Sequence, residues 1–147
     1  MCDAIRFSRS EFPNEELFRF GLRGNNEDIK VSYFANNAVL PVLIHGESKI
    51  IPWGNKKQTH FPKTGFCKWE ALISGGWQWL KPRAVLIVVK AAQLNGVWFQ
   101  VKKGIKGILV EDKKRNKRVY ILTEPSTHYF KIMTGSMRMP ILEDQML

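Results

Sequence analysis

The chain has 147 residues, 44% hydrophobic and 12% aromatic, which fits one folded domain with its own core and is a globular rather than a disordered composition. Its 23 Lys and Arg against 13 Asp and Glu give a net charge of +10, and such an excess favours polyanionic partners, because binding phosphates releases counterions. The longest apolar run, Ala84 to Val89, falls far short of the roughly 20 residues of a membrane span, and Asp3, Arg6, Arg9 and Glu11 interrupt any signal-peptide core.

In chain order, Ser10 to Leu22 is the clearest helix, with Ser10 or Asn14 as cap and Pro13 in the first turn. Val31–Ala35, Val39–Ile44 and Lys49–Trp53 are rich in branched or aromatic residues and are predicted strands, broken at Asn36-Asn37 and His45-Gly46. Residues 55–64 form a polar, basic loop. Lys68 to Ile73 fits a short helix, and Gly75-Gly76 breaks the chain before Trp77 and Trp79. Val85–Val89, Val97–Val101, Gly107–Glu111 and Arg118–Thr123 are four more predicted strands, the last two joined by a charged hairpin at Asp112–Lys117. Ser126 to Met133 is a short helix and Met139 to Leu142 a final strand. The expected fold is a single β-rich α+β domain over residues 1–147, with a barrel-type sheet and short peripheral helices.

Cys2 and Cys67 form no CxxC pair, and His45, His60 and His128 are far apart in sequence. No metal site or cofactor is expected, and the setting is reducing and cytoplasmic. The tryptophans carry more information. Trp53, Trp69, Trp77, Trp79 and Trp98 are interleaved with Lys56, Lys57, Lys63, Lys68, Lys81 and Arg83. Aromatic faces that stack on unpaired bases, beside cations that track phosphates, are how proteins hold single strands. Core packing competes for the same residues, and at least two of the five are expected in the core. Trp77 and Trp79 share one face if their segment is a strand.

Cys2 has a chemistry of its own. Loss of Met1 leaves an α-amine and a thiol on one residue, with reference pKa values near ~7.7–8.0 and ~8.5. The pair traps an aldehyde, the amine as an imine and the thiol by closing a five-membered thiazolidine.

Three segments carry a resemblance. The chain starts Met1-Cys2 and soon reaches Arg6-Phe7. It then reads Tyr33-Phe34-Ala35-Asn36-Asn37-Ala38-Val39-Leu40-Pro41-Val42, followed by Ile51-Pro52-Trp53-Gly54. Near its end come Val119-Tyr120-Ile121-Leu122-Thr123-Glu124-Pro125 and Arg138-Met139-Pro140-Ile141-Leu142. This order resembles the SRAP family, the SOS response-associated peptidases, although the chain is shorter than usual members. The resemblance implies a β-rich fold around a DNA groove. It also implies a covalent link between Cys2 and the ring-opened abasic site of single-stranded DNA after loss of Met1. Carried over by position, Cys2 is the nucleophile, Arg6, Lys68 and Arg138 hold phosphates, and Trp53 lies beside the groove. Trp69 and Arg83 are further DNA contacts.

The departures from the family fall on proton transfer. Its asparagine is Phe66 here, its glutamate has only Gln78 as a look-alike, and its histidine falls on Ser136. Neither glutamine nor serine shuttles protons well at neutral pH, which costs ~10²–10⁴-fold in rate. Glu70 or His128 substitutes if the fold brings either near Cys2. Three functions follow: an abasic-site crosslinker, a DNA-binding module without the chemistry, or a phage-type inhibitor that meets an acidic protein. The expected partner is single-stranded or abasic DNA, the expected state a monomer without membrane contact.

Overall fold

Alternating apolar and polar side chains make the first strand, which buries Ile5 and Phe7 and leaves Arg6 on the opposite face. The computed structural model describes residues 2–22, 24, 26–57 and 60–143, with Cys2 through its backbone alone; Met1 lies outside the described residues. The strands are β1 (Cys2–Ser8), β2 (Asp28–Ser32), β3 (Val39–Ile44), β4 (Glu47–Pro52), β5 (Phe66–Lys68), β6 (Arg83–Ile87), β7 (Ala91–Leu94), β8 (Val97–Gln100), β9 (Ile105–Glu111), β10 (Lys117–Pro125) and β11 (Arg138–Pro140). Three short helices, α1 (Asn14–Arg19), α2 (Trp69–Ile73) and α3 (His128–Thr134), accompany them. The protein is therefore a β-rich α+β domain. No described helix is long and apolar enough to cross a membrane.

The strands form two sheets. One has the order β2-β1-β7-β8; the other runs β11-β10-β9-β6-β3-β4, with β5 pairing in parallel beside β10. The expected barrel does not close as a strand ladder. The larger sheet curls until Trp53, just past β4, makes an isolated bridge to Val119 of β10, and the Gly54 amide donates to the Val119 carbonyl at 2.8 Å.

β10 is buried on both faces, which explains its unbroken Val119-Tyr120-Ile121-Leu122 run. Val119 and Ile121 face the main core with Leu40, Trp53 and Leu109. Tyr120 and Leu122 face a second cluster with Phe61, Cys67, Trp77, Leu80 and Val110.

Several expected elements shift. The Ser10–Leu22 helix is a 3-10 turn at Arg9–Glu11 followed by α1, separated at Pro13, which precedes the helix rather than opening its first turn. The Val31–Ala35 strand lies earlier, at β2, because Tyr33 onward turns toward β3. α3 begins one residue after Thr127, whose hydroxyl accepts from the Phe130 amide. Three strands, β1, β5 and β7, lie outside the expected set. β7 and β8 are joined by Asn95-Gly96, both at positive φ (50° and 80°), the conformation of a two-residue hairpin turn.

Candidate nucleic-acid interface

Lys68 ends β5 and Trp69 and Glu70 open α2, so this segment delivers three consecutive side chains to the β10–β11 edge. There Arg138 holds Glu70 through both carboxylate oxygens, at 2.8 and 2.9 Å. Its Nε donates to the Thr123 hydroxyl at 3.1 Å and a terminal nitrogen to the Thr123 carbonyl at 2.9 Å. Lys68 pairs with Thr123 across the β5–β10 ladder and is exposed. Lys68, Glu70 and Arg138 thus share one neighbourhood, with Thr123 as the residue sequence reasoning missed, while Trp69 lines a cleft with Leu72, Gln78, Lys81 and Leu122. No motif marks it, because its role is set by strand pairing.

The geometry corrects two roles. Glu70 is not a spare acid: hydrogen bonding from Arg138, the largest influence, holds its carboxyl at about 2, so it is ionised at neutral pH. Arg138 in turn is engaged by Glu70 and Thr123 before any phosphate arrives. The Ser136 hydroxyl donates to the Arg138 carbonyl at 2.7 Å and accepts from the Arg138 amide, which fixes the turn into β11.

The start of β1 is linked to the segment that leads into this turn. Cys2 pairs with Leu94, and the neighbouring Asn95 side chain donates to the Thr134 carbonyl at 3.1 Å, two residues before Ser136. His128 sits at the opposite end of α3, about 9 Å along the helix from Thr134. Cys67 is fully buried and its thiol is pushed up to about 12 by burial, which keeps it protonated and inert.

Trp53 is a core residue, 2% exposed, with its indole N–H donated to the Gly65 carbonyl at 3.1 Å. It packs on Tyr33 and Phe66, so it has no free face for a base. Trp77 is buried as well, and the expectation of at least two core tryptophans holds. Arg6 and Arg138 belong to different sheets, Arg6 lying on the face of the small sheet opposite Ile5 and Phe7. Its guanidinium lies 5.3 Å from the centre of the Trp98 ring, where the Lys30 ammonium also sits at 5.5 Å, and it pairs loosely with Asp28 at 3.9 Å.

A different face forms around Trp79. Trp77 and Trp79 do not share a strand face. Trp77 precedes a 3-10 turn at Gln78–Leu80, and its ring packs edge-on against Tyr120 at 4.8 Å. Trp77 and Leu80, three residues apart, both point into the second cluster. Trp79 between them is turned outward and is 63% exposed. Beside it is the β9–β10 hairpin. Its Asp112 carboxylate accepts from the Lys114 amide, the Asn116 amide and the Asn116 side chain, each at 2.9 Å. These bonds, the Asn116 side chain first, hold the Asp112 carboxyl below its ordinary value. The carboxylate is thereby held against its own turn, while Lys113, Lys114, Arg115 and Lys117 are exposed. Arg83 belongs to this end too, 3.9 Å from Glu111.

A third basic cleft, of about 630 Å³, is lined by Arg19, Lys56, Lys57 and Arg118. Lys56 is partly committed: its ammonium donates to the Ala35 carbonyl and lies over the Tyr33 ring.

No family model and no curated protein matches the sequence. Among solved structures, the fold is similar to the crystal structure of a protein from Bacteroides thetaiotaomicron, a structural-genomics target. The TM-score is 0.62 over 96% of this chain and 77% of that one, at 14% sequence identity. A likeness at that identity concerns the fold alone.

Proposed function

We propose that the protein binds single-stranded DNA in the manner of the SRAP family and forms a covalent adduct at abasic sites through Cys2 once Met1 is removed. The observation that carries the proposal is the chain of contacts from Cys2 through Leu94, Asn95 and Thr134 to the Ser136–Arg138 turn. It ties the start of β1 to the edge that carries Lys68 and Arg138. The net charge of +10 favours the polyanion.

In the proposed reaction the Cys2 α-amine adds to the aldehyde carbon of the ring-opened abasic sugar, and water leaves to give an imine. The Cys2 sulfur then bonds to the imine carbon and its proton passes to nitrogen, closing the thiazolidine. A reducing compartment such as the cytoplasm suits a mechanism that needs a free thiol.

Proton transfer is the weak step. Glu70 is an ionised anchor for Arg138, the Ser136 hydroxyl is engaged, and His128 lies at the far end of α3. Crosslinking is therefore slow, short of the ~10²–10⁴-fold that a positioned acid–base group supplies.

The test is a denaturing gel after incubation with a single strand bearing one abasic site. A shifted band that grows over hours and is absent in Cys2→Ala is the expected result. No covalent product at long times overturns the chemistry, and so does an intact mass that retains Met1. The clamp of Arg138 on Glu70 favours a second reading, a DNA-binding module without the covalent step. It requires equal affinity for intact and abasic strands and no effect of Cys2→Ala.

A further inference from the structure

We infer that Trp79 and the tip of the β9–β10 hairpin form a second binding surface for single-stranded nucleic acid, at the opposite end of β10 from Arg138. This rests on the domain being a nucleic-acid binder and is independent of Cys2 chemistry. From Lys117 at the tip to Thr123 at the Arg138 end is six residues of strand, about 20 Å.

Trp79 is a wall shared by two clefts. One, of about 350 Å³, is lined by His60, Leu80, Lys113 and Lys114. The other, of about 560 Å³, is lined by Lys81, Arg83 and Arg115. Cations therefore stand on both sides of an indole that protrudes into solvent. Trp77 and Leu80 are its anchors, so the ring is presented by a rigid support and loses little freedom on binding.

Arg83 apart, the Lys and Arg side chains of this surface have no acid partner among the described residues. Among the described residues, Lys81, Lys113, Lys114, Arg115 and Lys117 make no ion pair. The two acids present are already engaged, Asp112 by the amides of its own turn and by His60 at 3.7 Å, and Glu111 by Arg83 at 3.9 Å. An acidic protein would engage the cations alone. A single strand uses both components, with bases stacked on the indole and phosphates along the cations, and duplex bases have no free face to offer.

Binding of a labelled oligothymidylate of roughly 12 nucleotides, without abasic sites, tests this by fluorescence anisotropy over a salt series. Trp79→Ala is expected to weaken binding about tenfold, with Trp79→Phe intermediate because it keeps a stacking face. Lys113→Gln with Lys114→Gln is expected to flatten the log–log salt slope by about 1.4, two phosphate contacts at ~0.7 each. The charge-matched pair Lys102→Gln with Lys103→Gln, on an exposed turn elsewhere, is expected to leave the slope nearly unchanged.

Equal flattening by the two pairs overturns the inference, since only net charge would then matter. Polyglutamate that competes as well as the oligonucleotide, with Trp79→Ala indifferent, overturns it in favour of an acidic protein. The abasic-site gel runs in parallel. Crosslinking without a Trp79 effect removes this surface alone, whereas Trp79-dependent binding without crosslinking removes only the Cys2 chemistry.

Discussion

The two ends of β10 use the same kinds of residue to different effect. At the Arg138 end, cation and carboxylate close on each other, and Thr123 takes two more of the guanidinium's N–H donors. At the Lys117 end, the Asp112 carboxylate is turned inward onto amides and the cations are left facing solvent. The first arrangement spends its charge on joining α2 to β11. The second keeps its charge available for a partner. Having a charged residue near a groove is thus a poor guide to ligand binding until its existing partners are counted.

The tryptophans make the same contrast and give the largest expected effect. Trp53→Ala removes a ring packed against Tyr33 and Phe66 and leaves the Gly65 carbonyl without its indole donor. A loss of about 3–5 kcal/mol of folding stability is expected. Trp79→Ala at the exposed turn is expected to change stability by no more than about 0.5 kcal/mol. Urea unfolding of both variants checks the pair. Similar destabilisation by the two substitutions would break the distinction between a core ring and a displayed one.

A smaller effect is expected at the closed end. Arg138→Ala strips the donors from both the hydroxyl and the carbonyl of Thr123, a residue 1% exposed. Leaving such groups unpaired costs about 1–3 kcal/mol. Glu70→Gln removes a charge from a half-exposed side chain and leaves Thr123 satisfied, so it is expected to cost clearly less than Arg138→Ala. If the two variants cost the same, the cluster works through its ion pair and Thr123 is incidental.

Local pattern made much of the sheet legible. Val39–Ile44 is a strand exactly where branched residues concentrate, and the charged segment at Asp112–Lys117 is the hairpin that its flanking apolar runs imply. β1 carries the signal too, in the alternation of Ile5 and Phe7 with Arg6, but Asp3 and Arg6 within it and Arg9 just past it dilute its apolar character. β7 is Ala-Ala-Gln-Leu, with little strand propensity of its own. Only Asn95-Gly96 ahead of Val97 marked it, and cross-strand pairing to β1 and β8 does the rest. The sites were less legible because they depend on distant pairings. Arg138 and Glu70 are 68 residues apart, so neither betrays that it is already partnered. Trp77 and Trp79 invite a strand by alternation. Gly75-Gly76 before them and Pro82 after them instead confine the segment to a short turn, which reverses which ring is displayed.

The finest test of the contrast is how each acid responds to salt. Glu70 and Asp112 both have lowered pKa values, Glu70 chiefly through Arg138 and Asp112 chiefly through Asn116. A carboxyl whose folded value is depressed contributes stability in full above its unfolded value. For Glu70 that contribution is present above its ordinary 4.5 and is lost as pH falls toward about 2. Carbon-13 titration of the side-chain carboxyls follows both groups directly. An exposed ion pair is screened at ~1 M salt, where the Debye length is ~3 Å, so the Glu70 midpoint is expected to rise toward its ordinary value. The Asp112 midpoint should move less, because neutral amides a single hydrogen bond away are not displaced by dissolved ions and only the smaller influence of His60, at 3.7 Å, is screened. Equal movement of the two midpoints would mean that Asp112 is held by the surrounding cations after all. The charges at the hairpin tip would then be neutralised from within, and the two ends of β10 would cease to differ.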